Sequence, residues 1–156
     1  MRKVSRPSEC GFTLLEMVCV LALIAMMAAV LLPLVPRHTS RSRLQGYVLQ
    51  AAALLKEDHN AAIRRGTGVA TLVDAGSHVI RSGSNADMIR IPDDVRFEAL
   101  LPRTCNQRAA LSTISFFASG MSCGGAMTLT REDVGYEVRV NWLTGRVEIV
   151  SRNAAN

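Results

Sequence analysis

Residues 10–35 read CGFTLLEMVCVLALIAMMAAVLLPLV, an apolar stretch in which Glu16 is the one charge between Gly11 and Val35. The 19 residues from Met17 to Val35 would rise roughly 29 Å as a helix, close to the thickness of a bilayer core. That is longer than the apolar region of a cleavable secretory signal, so the segment is expected to stay in a membrane. A carboxylate near the middle of such a helix costs roughly 2.5 to 3.5 kcal/mol, and less near its end. A nearby cation or a neighbouring helix has to offset that cost.

The residues before the run supply a cation. Arg2, Lys3 and Arg6 against Glu9 give the first eleven residues a net +2 of the chain's +5. A basic start followed by an apolar run places residues 1–11 in the cytoplasm and the C-terminal part across the membrane. A cut between Gly11 and Phe12 would create a new amine four positions before Glu16. Positions four apart share a helix face, so that amine, charged near neutral pH, could pair with Glu16 of its own or an adjacent chain.

In this combination of basic leader, glycine, aromatic, glutamate and long apolar helix, the sequence resembles the type IV pilin superfamily, which includes type IV pilins and the pseudopilins of type II secretion. The resemblance implies cleavage after Gly11 by a membrane-embedded prepilin peptidase, N-methylation of Phe12 as the new terminus, and Glu16 as the assembly residue. Pro33 also matches the family, and would remove a helix hydrogen bond and permit a kink.

At 156 residues the chain has room for one domain and an appended segment. Beyond Pro36, Leu44, Val48, Ala51, Leu55 and Ala62 recur at helical spacing, with Gln45, Gln50, Glu57, Asn60 and Arg64 on the other side and Gly66 as a stop. Gly46 and Pro36 are weak points where this helix could bend. From Gly66 onward short β-type runs alternate with turns: GVATLVD, SHVIRS, DMIRIP, VRFEAL, LSTISFFA, AMTLT, YEVRVNW and RVEIVS. Tyr136, Val138, Val140 and Trp142 are expected on one face, and WLTGRV predicts a tight hairpin at Thr144 and Gly145. The expected fold is α+β and pilin-like, a long N-terminal helix with a membrane half and an amphipathic half, packed on an antiparallel β-domain. Its parts are a cleaved leader at 1–11, a transmembrane and assembly helix at 12–36, an amphipathic continuation at 37–65 and a β-rich domain at 66–156.

The ending ISFFASGMSCGGAMTLT…GYEVRVNWLTGRVEI resembles that of the H-type minor pseudopilin of type II secretion, a GspH-like domain shared with FimT-like minor pilins. Where that family commonly has a polar turn of the DGSS kind, this chain has Gly120, Met121, Ser122 and Cys123. The resemblance implies a non-enzymatic fibre subunit, anchored by a single pass in a bacterial inner membrane with its C-terminal domain in the periplasm. Its partners would be the prepilin peptidase, other major and minor pseudopilins, an inner-membrane assembly platform and, at the fibre tip, secreted cargo. The alternative is a FimT-like minor type IV pilin in pilus assembly or DNA uptake.

Other chemistry is weakly signalled. GMSCG, residues 120–124, fits a serine nucleophile elbow, but that motif needs a following helix and GGAMTLT reads as a strand. His38, His59 and His78 lie apart, without metal-ligand spacing, and are expected at the surface or an edge. Asp93/Asp94 and Glu132/Asp133 read as turn charges, too few for calcium. No metal or cofactor is called for. Arg37, Arg41, Arg43, Arg64 and Arg65 read as a solvated or headgroup-proximal set rather than a nucleic-acid stripe. Cys10 leaves with the leader and Cys19 lies in the apolar helix. Cys105 and Cys123 remain, either as two thiols or as a disulfide, and the second requires residues 105–110 to fold back over the strand that follows, because that strand extended would hold its ends roughly 25 Å apart.

Overall fold

The computed structural model describes residues 13–31 and 39–153. The chain divides into two compact units, Met1–Arg37 and His38–Asn156. The first contributes helix α1, Leu14–Leu31. Thr13 opens it, its Oγ1 accepting the Glu16 amide at 3.3 Å. Leu, Ile, Val and Met side chains are exposed all around α1, so it has no single stripe of the kind that seats a helix on its own core.

The second unit begins with α2, Arg41–Arg65, which runs unbroken through Gly46. The Ser40 hydroxyl accepts the Arg43 amide at its start, and Gly66 closes it at φ 63°, donating its amide to Ala62 and Ile63. A residue with a Cβ is strained in that left-handed conformation, which is why the helix stops at a glycine. Leu44, Val48, Ala51, Ala52, Leu54, Leu55, Ala61 and Ala62 are buried along one side, the side that the spacing of apolar residues predicts. Pro33 and Pro36 lie outside the described residues.

Among the described residues ten strands follow: β1 (Val69–Asp74), β2 (Val79–Arg81), β3 (Met88–Arg90), β4 (Arg96–Leu100), β5 (Thr104–Cys105), β6 (Arg108–Ala109), β7 (Thr113–Phe116), β8 (Gly125–Arg131), β9 (Val134–Val140) and β10 (Val147–Asn153). They form two four-stranded sheets, ordered β3-β2-β1-β7 and β10-β9-β8-β4, and the small hairpin β5-β6. Every pairing is antiparallel. α2 packs on strands of both large sheets, and one core joins its apolar side to Val73, Ile80, Ile114 and Phe116 of the first sheet and Phe97, Met127, Leu129 and Val138 of the second.

Two expectations need correction. The β9–β10 connection is a loop of residues 141–146 rather than a two-residue turn, since Val140 pairs with Val147. Asn141 sets it: its Oδ1 accepts the amides of Leu143 and Thr144, and its own amide donates to Arg146. Trp142 therefore leaves the face of Tyr136, Val138 and Val140 and stands 66% exposed. The hairpin β5-β6 carries no alternation to announce it. Its turn, Asn106–Gln107, has both residues at positive φ, 48° and 64°, as a two-residue hairpin turn demands.

One polar residue sits on the apolar side of α2. Asp58 is fully buried and accepts from Thr71 Oγ1 at 2.5 Å, Ser82 Oγ at 2.6 Å, the Gly83 amide at 2.9 Å and the Ser84 amide at 3.1 Å. Burial pushes its carboxyl pKa up, but the donors from Ser82, Ser84, Thr71 and Gly83 outweigh burial and hold it below the ordinary Asp range. A carboxyl depressed on folding adds stability above its unfolded pKa of about 3.9, and that stability is lost as pH falls through the folded value. Asp58→Ala strands four donors, so guanidinium melts of the detergent-solubilised protein should show a loss of about 2 to 4 kcal/mol at pH 7 that narrows below about pH 4. A loss under about 1 kcal/mol would mean that water replaces the carboxylate.

Candidate functional site

Glu16 lies in the first turn of α1, where a negative charge suits the helix dipole. It is the one charged side chain in the helix, whose sequence LLEMVCVLALIAMMAAVL holds no Lys, Arg or His. Glu16 therefore has no cation within α1. The 18 residues of α1 rise about 27 Å, and among the described residues no helix is long and apolar enough to cross a membrane. The apolar sequence continues at Leu32, Leu34 and Val35, outside the described residues. Gly11, Phe12 and Pro33 also fall outside them, so of the residues expected to take part in processing and assembly the structure places Glu16 and its helix.

At the C-terminal end of α2, the glycine-rich turn of residues 120–125 meets the loop of residues 141–146. His59 Nε2 lies 2.8 Å from the Gly120 carbonyl oxygen, and its ring packs at 5.5 Å on Phe116. A Cβ on Gly145 would come within 2.5 Å of His59 Nε2, so this corner closes only around a glycine. The Ser122 hydroxyl donates to the Asn141 carbonyl and accepts the Gly124 amide, both at 3.0 Å. With its hydroxyl held this way and β8 following, GMSCG is a turn, not a nucleophile elbow. His59 and His78 are half-buried rather than at the surface, and His38 lies outside the described residues. Among the described residues no group of three His, Cys, Asp or Glu could hold a metal.

Cys105 and Cys123 are joined by a disulfide, Cα to Cα 5.7 Å. Reversal of the chain at Asn106–Gln107 makes the approach geometrically feasible, and the Cys123 amide donates to Ser115 on β7 at 2.9 Å. The bond thus ties the small hairpin to the edge of the first sheet. Arg41, Arg43 and Arg64 are exposed, whereas Arg65 donates to the Ser84 carbonyl. Two of the supposed turn charges are engaged: Asp94 accepts from Thr39, and Glu132 pairs with Arg131. Asp58 was recoverable from spacing, since it stands three after Leu55 and four before Ala62 on the apolar side.

A model of the prokaryotic N-terminal methylation motif matches residues 6–32. Type II secretion system protein H of Xanthomonas campestris is 32% identical over 138 residues, covering 88% of this chain and 80% of the relative. The chain belongs to the type II secretion protein H family. Among solved structures, the type IV minor pilin FimU of Pseudomonas aeruginosa superposes with a TM-score of 0.52 at 14% identity, over 74% of this chain and 98% of FimU. The minor pseudopilin EpsH of Vibrio cholerae does so at 0.49 and 11%, over 73% and 98%. FimU supports a pilin-like fold for this chain, and at that identity the fold alone.

With its ends 18 positions apart in sequence, the disulfide closes a loop whose restriction is worth roughly 3 kcal/mol in the unfolded chain. Cys105→Ser and Cys123→Ser should each lower stability by about that amount and expose residues 102–112 to limited proteolysis, read by mass spectrometry. Digestion unchanged from wild type would show that the hairpin holds without the bond.

Proposed function

We propose that this chain is a minor pseudopilin of a type II secretion system, a structural subunit of the periplasmic pseudopilus that helps export folded proteins across the outer membrane. The observation that carries the reading is the alignment of the methylation motif at residues 6–32 with an apolar helix whose one charge is Glu16, in a chain alike over most of its length to protein H. The prepilin peptidase cuts after Gly11 and methylates Phe12. The subunit then waits in the inner membrane, anchored by its apolar segment, with residues 38–156 in the periplasm.

α1 lacks a cation for Glu16, so the carboxylate is satisfied by the amine of Phe12, its own or that of the preceding subunit. Extraction from the membrane then buries the apolar faces of α1 against like helices in the fibre, with the assembly platform and the other pseudopilins as partners. The role is mechanical and needs no cofactor. The domain of residues 38–156 faces neighbouring subunits or cargo, at or near the fibre tip.

A deletion strain should lose exoproteins from the culture supernatant while keeping surface pili and DNA uptake. Normal secretion with failed piliation or uptake would replace this reading with that of a minor pilin, the alternative that the FimU likeness keeps open. Glu16→Ala should leave membrane insertion intact and lower recovery in sheared fibre fractions roughly tenfold, the equivalent of about 1.4 kcal/mol in docking. Recovery equal to wild type in both fractions would remove Glu16 from assembly.

A further inference from the structure

Thr39 is the first described residue of the second unit and the point at which the chain from α1 reaches it. It is 4% exposed, unusual for a polar residue two positions before a helix. Its amide donates to Asp94 Oδ2 at 2.7 Å and its hydroxyl to Asp94 Oδ1 at 2.8 Å. Its carbonyl accepts from Arg131 Nη1, and Arg131 Nε pairs with Asp94 Oδ2 at 3.3 Å. All three hydrogen-bonding groups of Thr39 are thus held by one ion pair. The Thr39 amide and hydroxyl, aided by Arg131, keep the Asp94 carboxyl below the ordinary Asp range.

The two holders lie at the ends of neighbouring strands. Asp94 lies two residues before β4, and Arg131 is the last residue of β8. Arg96 and Thr130 are partners in the β4–β8 register, so the two anchors sit at the same end of one antiparallel pair. Apolar contacts resist sliding weakly because they have no direction, whereas charge-assisted hydrogen bonds are directional. Without these bonds, a pull arriving through residue 38 would meet the first turns of α2 alone, where Leu44 and Val48 are held by burial. That load would peel the helix from the sheets one turn at a time.

We infer that Thr39, Asp94 and Arg131 form a force-transmitting clasp, which diverts tension on the N-terminal segment past α2 into β4 and β8. The inference rests on the proposed function for its source of tension, the extraction of the subunit from the membrane. Asp94 and Arg131 are positioning residues here: they set how a load on residue 39 enters the second unit.

The test is single-molecule force spectroscopy on the full chain in detergent micelles, in two pulling geometries. One pair of handles sits at the N-terminus and the C-terminus, the other in the exposed turns at Gly76 and Leu143. Asp94→Ala and Arg131→Met should shorten the lifetime under fixed load by roughly tenfold or more in the first geometry and leave the second within about threefold of wild type. Equal shortening in both geometries would reduce the clasp to ordinary stabilisation, and no shortening in the first would remove it. Thr39→Val, which deletes one hydroxyl at constant shape, gives the same comparison where the larger changes prevent folding. Because no fibre is involved, a geometry-specific result stands even where deletion leaves secretion unaffected, and its absence overturns the clasp even where secretion is lost.

Discussion

α2 has one apolar side and two sheets to serve, and the Asp58 carboxylate decides how it is seated. Apolar burial alone tolerates rotation and sliding of a helix on a sheet. A buried carboxylate that must find four donors does not. Those donors come from Thr71 on β1 and from Ser82, Gly83 and Ser84 just past β2, so the first sheet is fixed to α2 by direction as well as by contact. The second sheet then closes over the remaining apolar surface with Phe97, Met127, Leu129 and Val138. The disulfide and the Gly120–Gly145 corner finish an arrangement that Asp58 has already oriented.

The chain handles two carboxylates in opposite ways. Among the described residues Asp58 has no ion-pair partner, and the protein solvates it with hydrogen bonds that replace those of water. Glu16 has no basic residue within its helix. A charge satisfied internally fixes a fold, and one left open favours association. The contrast is between a carboxylate held by directional bonds inside the second unit and one whose own helix offers no cation.

The elements legible in the sequence were those written as local periodicity or as a compact motif: the apolar helix with Glu16, the apolar side of α2 ending at Gly66, and eight of the strands. What escaped depends on residues far apart in the chain. Thr39 meets Asp94 and Arg131 at separations of 55 and 92 residues, and nothing near any of the three signals the others. β5 and β6 are too short for alternation to register. The loop after β9 was misread because Thr144-Gly145 looks like a two-residue turn, whereas the Asn141 side chain captures two amides and lengthens it. Spacing did carry one signal that went unread, the placement of Asp58 among alanines and leucines.

The disulfide has a consequence for how the chain is made. Two of its four cysteines, Cys10 and Cys19, precede residue 38, which leaves Cys105 and Cys123 alone in the second unit. Two thiols within one unit permit a single pairing. An oxidant suffices to close it, and there is no wrong partner inside the unit for an isomerase to undo. The nearness of the two cysteines in sequence also lets the bond form before β8, β9 and β10 have been delivered, so the hairpin and β7 are joined while the second sheet is still incomplete.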